Sequence, residues 1–216
     1  RKLTRKDLAW ADLAFVSAMI VQRESAARII ARCKEAGLRV VAGGPLFTAE
    51  HERFAAVDHF VLNEAELTLP PFLADLARGA AERVYATDAD FADLGETPVP
   101  RWDLADLHAY ASMSVQYSRG CPFNCEFCNV TALLGHRPRV KSARQILAEL
   151  DGLYDAGWRG GVFFVDDNFI GNKEVLKQSV LPAVIAWQQA HGAPFCFDTE
   201  ASINIEIGRA SCRERV

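Results

Sequence analysis

Apolar residues along this chain come in short blocks, and between the blocks they recur at the spacing of a helix face. Ala11-Asp-Leu-Ala-Phe-Val-Ser17 has the length and character of a buried strand. Ser25 is placed to cap a helix whose apolar face is Ala26, Ile29, Ile30 and Cys33, with Gly37 ending it. Leu38–Ala42 predicts a second strand, closing on Gly43-Gly44-Pro45, and His59–Leu62 a third. Thr68 is expected to cap the next helix, with Pro70 and Pro71 in its first turn, where a missing N–H costs least, and Gly79 stopping it. Strand and helix in alternation predict a parallel sheet with helices packed on it. Glycines at the strand ends mark the edge where a ligand can approach the backbone.

From about Ala81 to Ser112 the pattern lapses into a connector, because Thr97-Pro-Val-Pro100 suits neither a helix nor a ladder. Trp102 and Tyr110 are its expected anchors. The alternation then resumes. Met113–Ser118 is a strand; Ser142-Ala-Arg-Gln145 is a capping box opening a helix with Ile146, Leu147, Leu150, Leu153 and Tyr154 on one face. Gly161–Val165 is a buried strand ending in Asp166-Asp167-Asn168. Asn172 caps a further helix, kinked or split near Pro182, and Phe195–Glu200 is the third strand of this half. Repeated strand–helix units with polar residues at the strand ends predict the opening half of a (β/α) barrel.

Composition narrows the functional classes. Half of the 216 residues are hydrophobic and 24% are charged, as in ordinary globular chains. A net charge of −4 provides no basic stripe, which argues against nucleic acid as a partner. No apolar run approaches the roughly 20 residues that a membrane span needs, and no secretory signal precedes the first strand. The chain opens on Arg1, so the start is expected upstream. At the other end, Glu206 to Val216 resembles the translation of a common sequencing adapter and is set aside. Without it Cys212 is lost, the net charge becomes −5, and the natural protein is expected to continue past Ile205.

Six cysteines in an oxidising compartment would suggest disulfides, but three of them crowd into eight residues, which favours a reducing cytoplasm. Cys33 and Cys196 read as small buried hydrophobes. Cys121-Pro-Phe-Asn-Cys125-Glu-Phe-Cys128 is the strongest chemical signal: three thiolates this close in an irregular loop can converge on one polymetal centre. Three ligands on a [4Fe–4S] cluster leave one iron open. Structural zinc is the alternative, needing Cys196 or His136 as a fourth ligand, and would make the chain a metal-stabilised binding module.

The C-x-x-x-C-x-x-C spacing, with an aromatic before the last cysteine, resembles the radical S-adenosylmethionine (SAM) superfamily. Ser114–Cys128, Val162–Asn172 and Phe197–Asn204 resemble more specifically the family of cobalamin-binding radical SAM proteins that includes bacterial hopanoid methylases. In the first half, Val40–Pro45 and Phe60–Glu66 resemble the later strands of that family's cobalamin domain. The resemblance implies a doubly wound cobalamin-binding domain over residues 1–80, truncated at its start, and a radical SAM barrel over 113–205, truncated at its end. The connector 81–112 lies between them. It implies Cys121, Cys125 and Cys128 as cluster ligands, with Asp166, Asp167, Asn168, Glu200 and Arg139 near SAM. Ser17, Gly43, Gly44 and Glu64 would neighbour cobalamin. By the same resemblance, the open iron chelates SAM, an electron cleaves it to a 5′-deoxyadenosyl radical, and methylcobalamin gives a methyl group to an unactivated substrate carbon. The substrate would be a small molecule or lipid and the electron donor a flavodoxin or ferredoxin. The location would be cytoplasmic, with peripheral visits to a membrane surface. Cyclase and methylthiotransferase chemistry are the alternatives within the superfamily.

The sequence departs from the family pattern at three places. The Gly-Gly-Glu that follows the second barrel strand is replaced by Asp166-Asp167-Asn168, whose carboxylates could accept from an ammonium or be solvated strand-end groups. Gly-x-Gly-Glu stands as Leu62-Asn63-Glu64, one glycine short, and the Asp-x-His-x-x-Gly cobalt-ligand motif is absent. Arg119, Arg137, Arg139 and Lys141 place positive charge beside the cysteine loop or form a solvated face.

Overall fold

The computed structural model describes residues 3–87 and 91–202. The adapter-like tail 206–216, Cys212 and the last residues of the Phe197–Asn204 motif lie outside the described residues. The chain forms two compact units, Arg1–Ala92 and Asp93–Val216.

In the first unit α1 (Arg5–Trp10) leads into β1 (Leu13–Ser17), followed by α2 (Arg23–Glu35), β2 (Arg39–Gly43), α3 (Pro45–Glu50), β3 (His59–Val61), α4 (Ala65–Ala77) and β4 (Val84–Tyr85). The four strands are parallel and lie in the order β1-β2-β3-β4. Val40, Val41 and Ala42 are all buried because β2 is covered on both faces. Val40, Ala42 and Phe60 pack with Ala26, Ile30 and Cys33 of α2 and with Leu46 and Phe47 of α3. Val41 and Val61 pack on the opposite side with Phe72 of α4. Helices on both faces make the sheet doubly wound. Ser17 pairs with Gly43, Gly43 with Val61 and Val61 with Tyr85, so the strands end level along one edge.

Two helix starts differ from the pattern reading. α2 begins at Arg23, out of a 3₁₀ turn Ile20–Gln22, and Ser25 donates its hydroxyl back to the Gln22 carbonyl at 2.8 Å. α4 begins at Ala65, because the Thr68 hydroxyl is committed to the Leu62 carbonyl at 2.9 Å and is not available as a cap. Pro70 and Pro71 therefore fall in the second turn, on the exposed side. Within the stretch read as connector, β4 pairs with β3, and the division between the units falls after Ala92.

The second unit contains β5 (Ser112–Val115), β6 (Ser118–Arg119), α5 (Val130–Leu134), β7 (Arg139–Val140), α6 (Ala143–Asp155), β8 (Gly161–Phe164), α7 (Lys173–Val175), α8 (Leu181–Ala190) and β9 (Cys196–Thr199). β5, β8 and β9 form a parallel sheet in the order β5-β8-β9, while β6 and β7 pair as an antiparallel ribbon. The capping box at Ser142 and Gln145 forms in both directions. Ile146, Leu150 and Leu153 of α6 and Val184 and Trp187 of α8 cover Met113, Val115, Val162 and Phe164. Strand alternation puts Ser112, Ser114, Phe163, Cys196 and Asp198 on the other face. Consecutive β/α units with helices on one face form the opening of a (β/α) barrel. A π-helical turn, Leu176–Val180, separates α7 from α8 just before Pro182.

The two scattered cysteines part company. Cys33 is buried in the core of the first unit, and desolvation pushes its thiol up despite the nearby Arg32 charge. Cys196 is exposed, because Phe195 and Phe197 take the core side and the alternation turns the residue between them outward.

Candidate functional site

The three clustered cysteines lie on an excursion that leaves the sheet after β5 and returns through α6. The β6–β7 ribbon ties its neck, pairing Ser118 with Val140 and Arg119 with Arg139. Just inside the neck the chain turns at Gly120, whose φ is +93°; a Cβ there would stand 2.7 Å from the Arg137 carbonyl oxygen. Cys121 N–H donates to the Gly135 carbonyl at 3.2 Å, and Arg139 reaches the Leu134 carbonyl at 3.1 Å. The base of the loop is thus held by its own backbone, with Arg139 as a brace.

Beyond Cys121 the loop opens. Cys121 and Cys128 are half-buried, Cys125 is exposed, and all three are free thiols. Cys128 N–H donates to the Cys125 carbonyl at 3.0 Å, and between them Phe127 is 93% exposed. Among the described residues no three His, Cys, Asp or Glu side chains stand together as a metal site, and neither His136 nor Cys196 joins the cysteines. The donor set itself, three reduced thiols within eight residues at an open tip, fits an iron–sulfur cluster bound by three thiolates.

The three residues after β8 separate into different tasks. Asp166 is 2% exposed, and its carboxylate accepts from Tyr117 N–H at 3.1 Å, from the Ser118 hydroxyl at 2.5 Å and, closely, from Ser118 N–H. Burial pushes its carboxyl above the usual range, although these hydrogen bonds pull the other way. Both oxygens face the chain rather than a ligand. Asn168 is also buried, its Oδ1 accepting from the Ser202 N–H and hydroxyl at 3.2 and 3.3 Å. Asp167 remains exposed. Partial desolvation raises its carboxyl, its own backbone N–H lowers it, and the Glu200 charge raises it further. Glu200 is exposed as well, while its carbonyl accepts from Phe169 N–H at 3.0 Å. Of the carboxylates at these strand ends, Asp167 and Glu200 stay exposed while Asp166 does not. A cavity of about 360 Å³ lies beside Asn168, between Pro122, Phe123 and Ser202, and its charged lining is Lys173 and Glu174.

Sequence reasoning missed one buried pair. Lys141 and Glu149 are 3% and 2% exposed, and their Nζ–Oε1 distance is 2.5 Å. The sequence reading sets Lys141 among the positive charges beside the loop, whereas the structure buries it against Glu149 of α6. Desolvation pushes the Glu149 carboxyl up and the Lys141 ammonium pulls it back. Their spacing of eight residues across a helix start was the available signal, but it does not distinguish a buried pair from two solvated charges.

In the first unit Ser17, Gly43 and Gly44 meet at the level strand edge. A Cβ on Gly43 would stand 2.5 Å from the Val61 carbonyl oxygen; one on Gly44, where φ is +86°, would stand 2.7 Å from Ser17 Oγ. Ser17 is exposed at the end of β1. Glu64 differs from them in being buried, 5% exposed, with its Oε2 accepting from Ala92 N–H at 2.6 Å. Asn63 occupies the position where a glycine was missed, at φ +61°, a left-handed conformation that asparagine tolerates. Its N–H donates to Thr48 Oγ1 at 3.0 Å and its Oδ1 accepts from Thr87 N–H at 3.2 Å.

No protein-family model matches the sequence. Over 95% of its length the chain is 45% identical to an uncharacterised methyltransferase of Synechocystis sp., covering 38% of that protein. Over 95% it is also 37% identical to the hopanoid C-2 methylase of Rhodopseudomonas palustris, covering 39%. Its fold is similar to that of the radical SAM methyltransferase TsrM from Kitasatospora setae, solved with a tryptophan substrate and a SAM analogue bound, at a TM-score of 0.65 and 15% identity. That match covers 88% of this chain and 43% of the other. A second structure of TsrM, with cobalamin and a [4Fe–4S] cluster bound, matches at a TM-score of 0.64. The chain is thus similar in sequence to bacterial methylases and methyltransferases and in fold to a radical SAM methyltransferase. It spans about two-fifths of the length of the curated relatives it matches. Along its own sequence it carries the three-cysteine loop, asparagine at position 63 and Asp-Asp-Asn at 166–168.

Proposed function

We propose that the full-length protein is a radical SAM methyltransferase that uses a [4Fe–4S] cluster and cobalamin to methylate an unactivated carbon of a small-molecule or lipid substrate. The observation that carries this reading is the three-thiol loop, clamped at its neck and open at its tip, on a half-barrel in a chain whose relatives are named methylases and methyltransferases. Cys121, Cys125 and Cys128 would hold the cluster. With cluster and cobalamin bound, the former would supply the electron that cleaves SAM and the latter the methyl group for transfer.

The residues of the chain then have separable tasks. Asp167 and Glu200 present negative charge toward the ammonium of SAM, a charge-assisted role that the buried Asp166 and Asn168 side chains do not share. Phe123 and Phe127, exposed on the loop, can cover a bound ligand and exclude water. Gly43 and Gly44 let the strand ends pack closely against Val61 and Ser17, which makes a level edge that a large planar cofactor could meet. An external one-electron donor of the flavodoxin or ferredoxin kind would act in the cytoplasm. No helix of the described residues is long and apolar enough to cross a membrane, so a lipid substrate would be met at the membrane surface.

The test is anaerobic purification of the full-length protein with iron, sulfide and cobalamin supplied, followed by SAM carrying a labelled methyl group. Cobalamin near one per chain, with label passing to cobalamin and then to product, is the expected result. A protein that loads iron and cleaves SAM but retains no cobalamin would leave cyclase or methylthiotransferase chemistry in its place. Zinc in place of iron would return the chain to a metal-stabilised binding module.

A further inference from the structure

Asp166 makes an unusual commitment for a carboxylate at a barrel strand end. Three donors from two consecutive residues converge on it: Tyr117 N–H, Ser118 N–H and the Ser118 hydroxyl. From the other side, Lys141 N–H donates to the Tyr117 carbonyl at 2.8 Å, and the Lys141 side chain is itself anchored on Glu149 inside α6. The dipeptide Tyr117-Ser118 is therefore gripped at its N–H groups by one element and at its carbonyl by another. It lies at the point where the chain leaves the sheet, three residues before Cys121.

The sheet does not need this grip. Pairing of β5 with β8 runs from Ser112 to Val115, continues through Val165 N–H to the Val115 carbonyl at 3.0 Å, and is backed by an apolar core. Burying a carboxylate to satisfy two amides and a hydroxyl is costly when a neutral side chain or water could serve them. A charged acceptor gives shorter and more directional bonds, and so a more sharply fixed position.

Building on the cluster reading above, we infer that Asp166, acting through Ser118, is a positioning residue that sets where Cys121 leaves the sheet and so holds the three thiols in register for iron. The same carboxylate cannot also serve as a direct SAM ligand, which leaves that task to its neighbour Asp167.

The experiment compares wild type, Asp166→Ala, Ser118→Ala, Ser118→Thr and the triple Cys121, Cys125 and Cys128→Ala variant, all as full-length protein. Three quantities are read: hydrogen exchange of the Tyr117 and Ser118 amides in the iron-free protein, iron retained after a fixed chelator exposure, and the paramagnetic spectrum of the reduced cluster. Asp166→Ala is expected to expose both amides to exchange, to lower retained iron about tenfold and to broaden the spectrum, with far-UV circular dichroism unchanged. Ser118→Ala should lose about threefold and Ser118→Thr should recover it, because only the hydroxyl bond differs. Amides that exchange freely in Asp166→Ala while iron retention and spectrum stay at wild-type values would overturn the inference. So would a loss of circular dichroism in Asp166→Ala accompanied by wild-type iron retention in Ser118→Ala. A wild-type protein that takes up no more iron than the triple variant overturns the cluster reading itself, a different signature from either.

Discussion

On the proposed reading, the strand edge of the first unit and the cysteine loop of the second would meet a cofactor in opposite ways. At the loop, chemistry sits in side chains: three thiols at an open tip, with buried charges fixing the base. At the edge, the distinguishing property is the lack of side chains, since Gly43 and Gly44 stand where a Cβ would collide with Val61 and Ser17, and Asn63 takes a backbone shape most residues avoid. One site is made by what the residues carry and the other by what the backbone is permitted to do. Loss of function should follow the same division, by removed ligands at the loop and by added atoms at the edge.

The sharpest test of that division is at the loop. Cys121→Ala, Cys125→Ala or Cys128→Ala should each abolish cluster assembly, read as iron and sulfide per chain and as visible absorbance after anaerobic reconstitution. Cys33→Ala and Cys196→Ala should leave both unchanged; loss of cluster in Cys196→Ala would reveal a fourth protein ligand. Next in size is the buried pair beneath the loop. Lys141→Met strands the Glu149 carboxylate in the core and should cost about 3–5 kcal/mol in chemical denaturation, whereas the double change Lys141→Met with Glu149→Leu should recover most of it.

At the edge, Gly43→Ala should cost about 1–3 kcal/mol, because its new Cβ would meet the Val61 carbonyl oxygen at 2.5 Å and the strands must shift. Retained cobalamin should fall in the same variant while iron loading does not, which would break the comparison if the two moved together. The smallest effect belongs to an ion pair behind the edge. Burial pushes Asp58 up, but the Lys34 ammonium at 2.6 Å and the Val40 N–H outweigh it and hold the carboxyl below its usual value. A depressed carboxylate stabilises the folded state above about pH 4, its ordinary range, and that stability is lost as pH falls through the folded-state value. Asp58→Asn should therefore lower stability by under about 1 kcal/mol at pH 6, and the gap to wild type should close toward pH 3 in thermal melts.

Much of this was legible in the chain because it rests on local spacing. The Ser142 capping box, the apolar stripe of α6, the continuous run of β2 and the cysteine loop all act within a few residues of themselves, and each lies where the pattern put it. What escaped were commitments made across the fold. Asp166 finds Ser118 forty-eight residues away, so its burial had no local sign, and the Asp-Asp-Asn run read as three equivalent strand-end groups. Thr68 has the spacing of a cap, but the Leu62 carbonyl claims its hydroxyl, and Glu64 accepts from Ala92 N–H twenty-eight residues away. Asn63 stands where a glycine is expected, and its left-handed φ is one that glycine and asparagine both adopt.

The two-residue ribbon of β6 and β7 has a consequence for how far damage at the loop can spread. Because Ser118–Arg119 and Arg139–Val140 close the excursion at its neck, everything between them enters and leaves the sheet through a single knot. None of the buried residues of the core between β5, β8 and the helices comes from the excursion itself, so a thiol oxidised or iron lost at the tip would leave that core its packing.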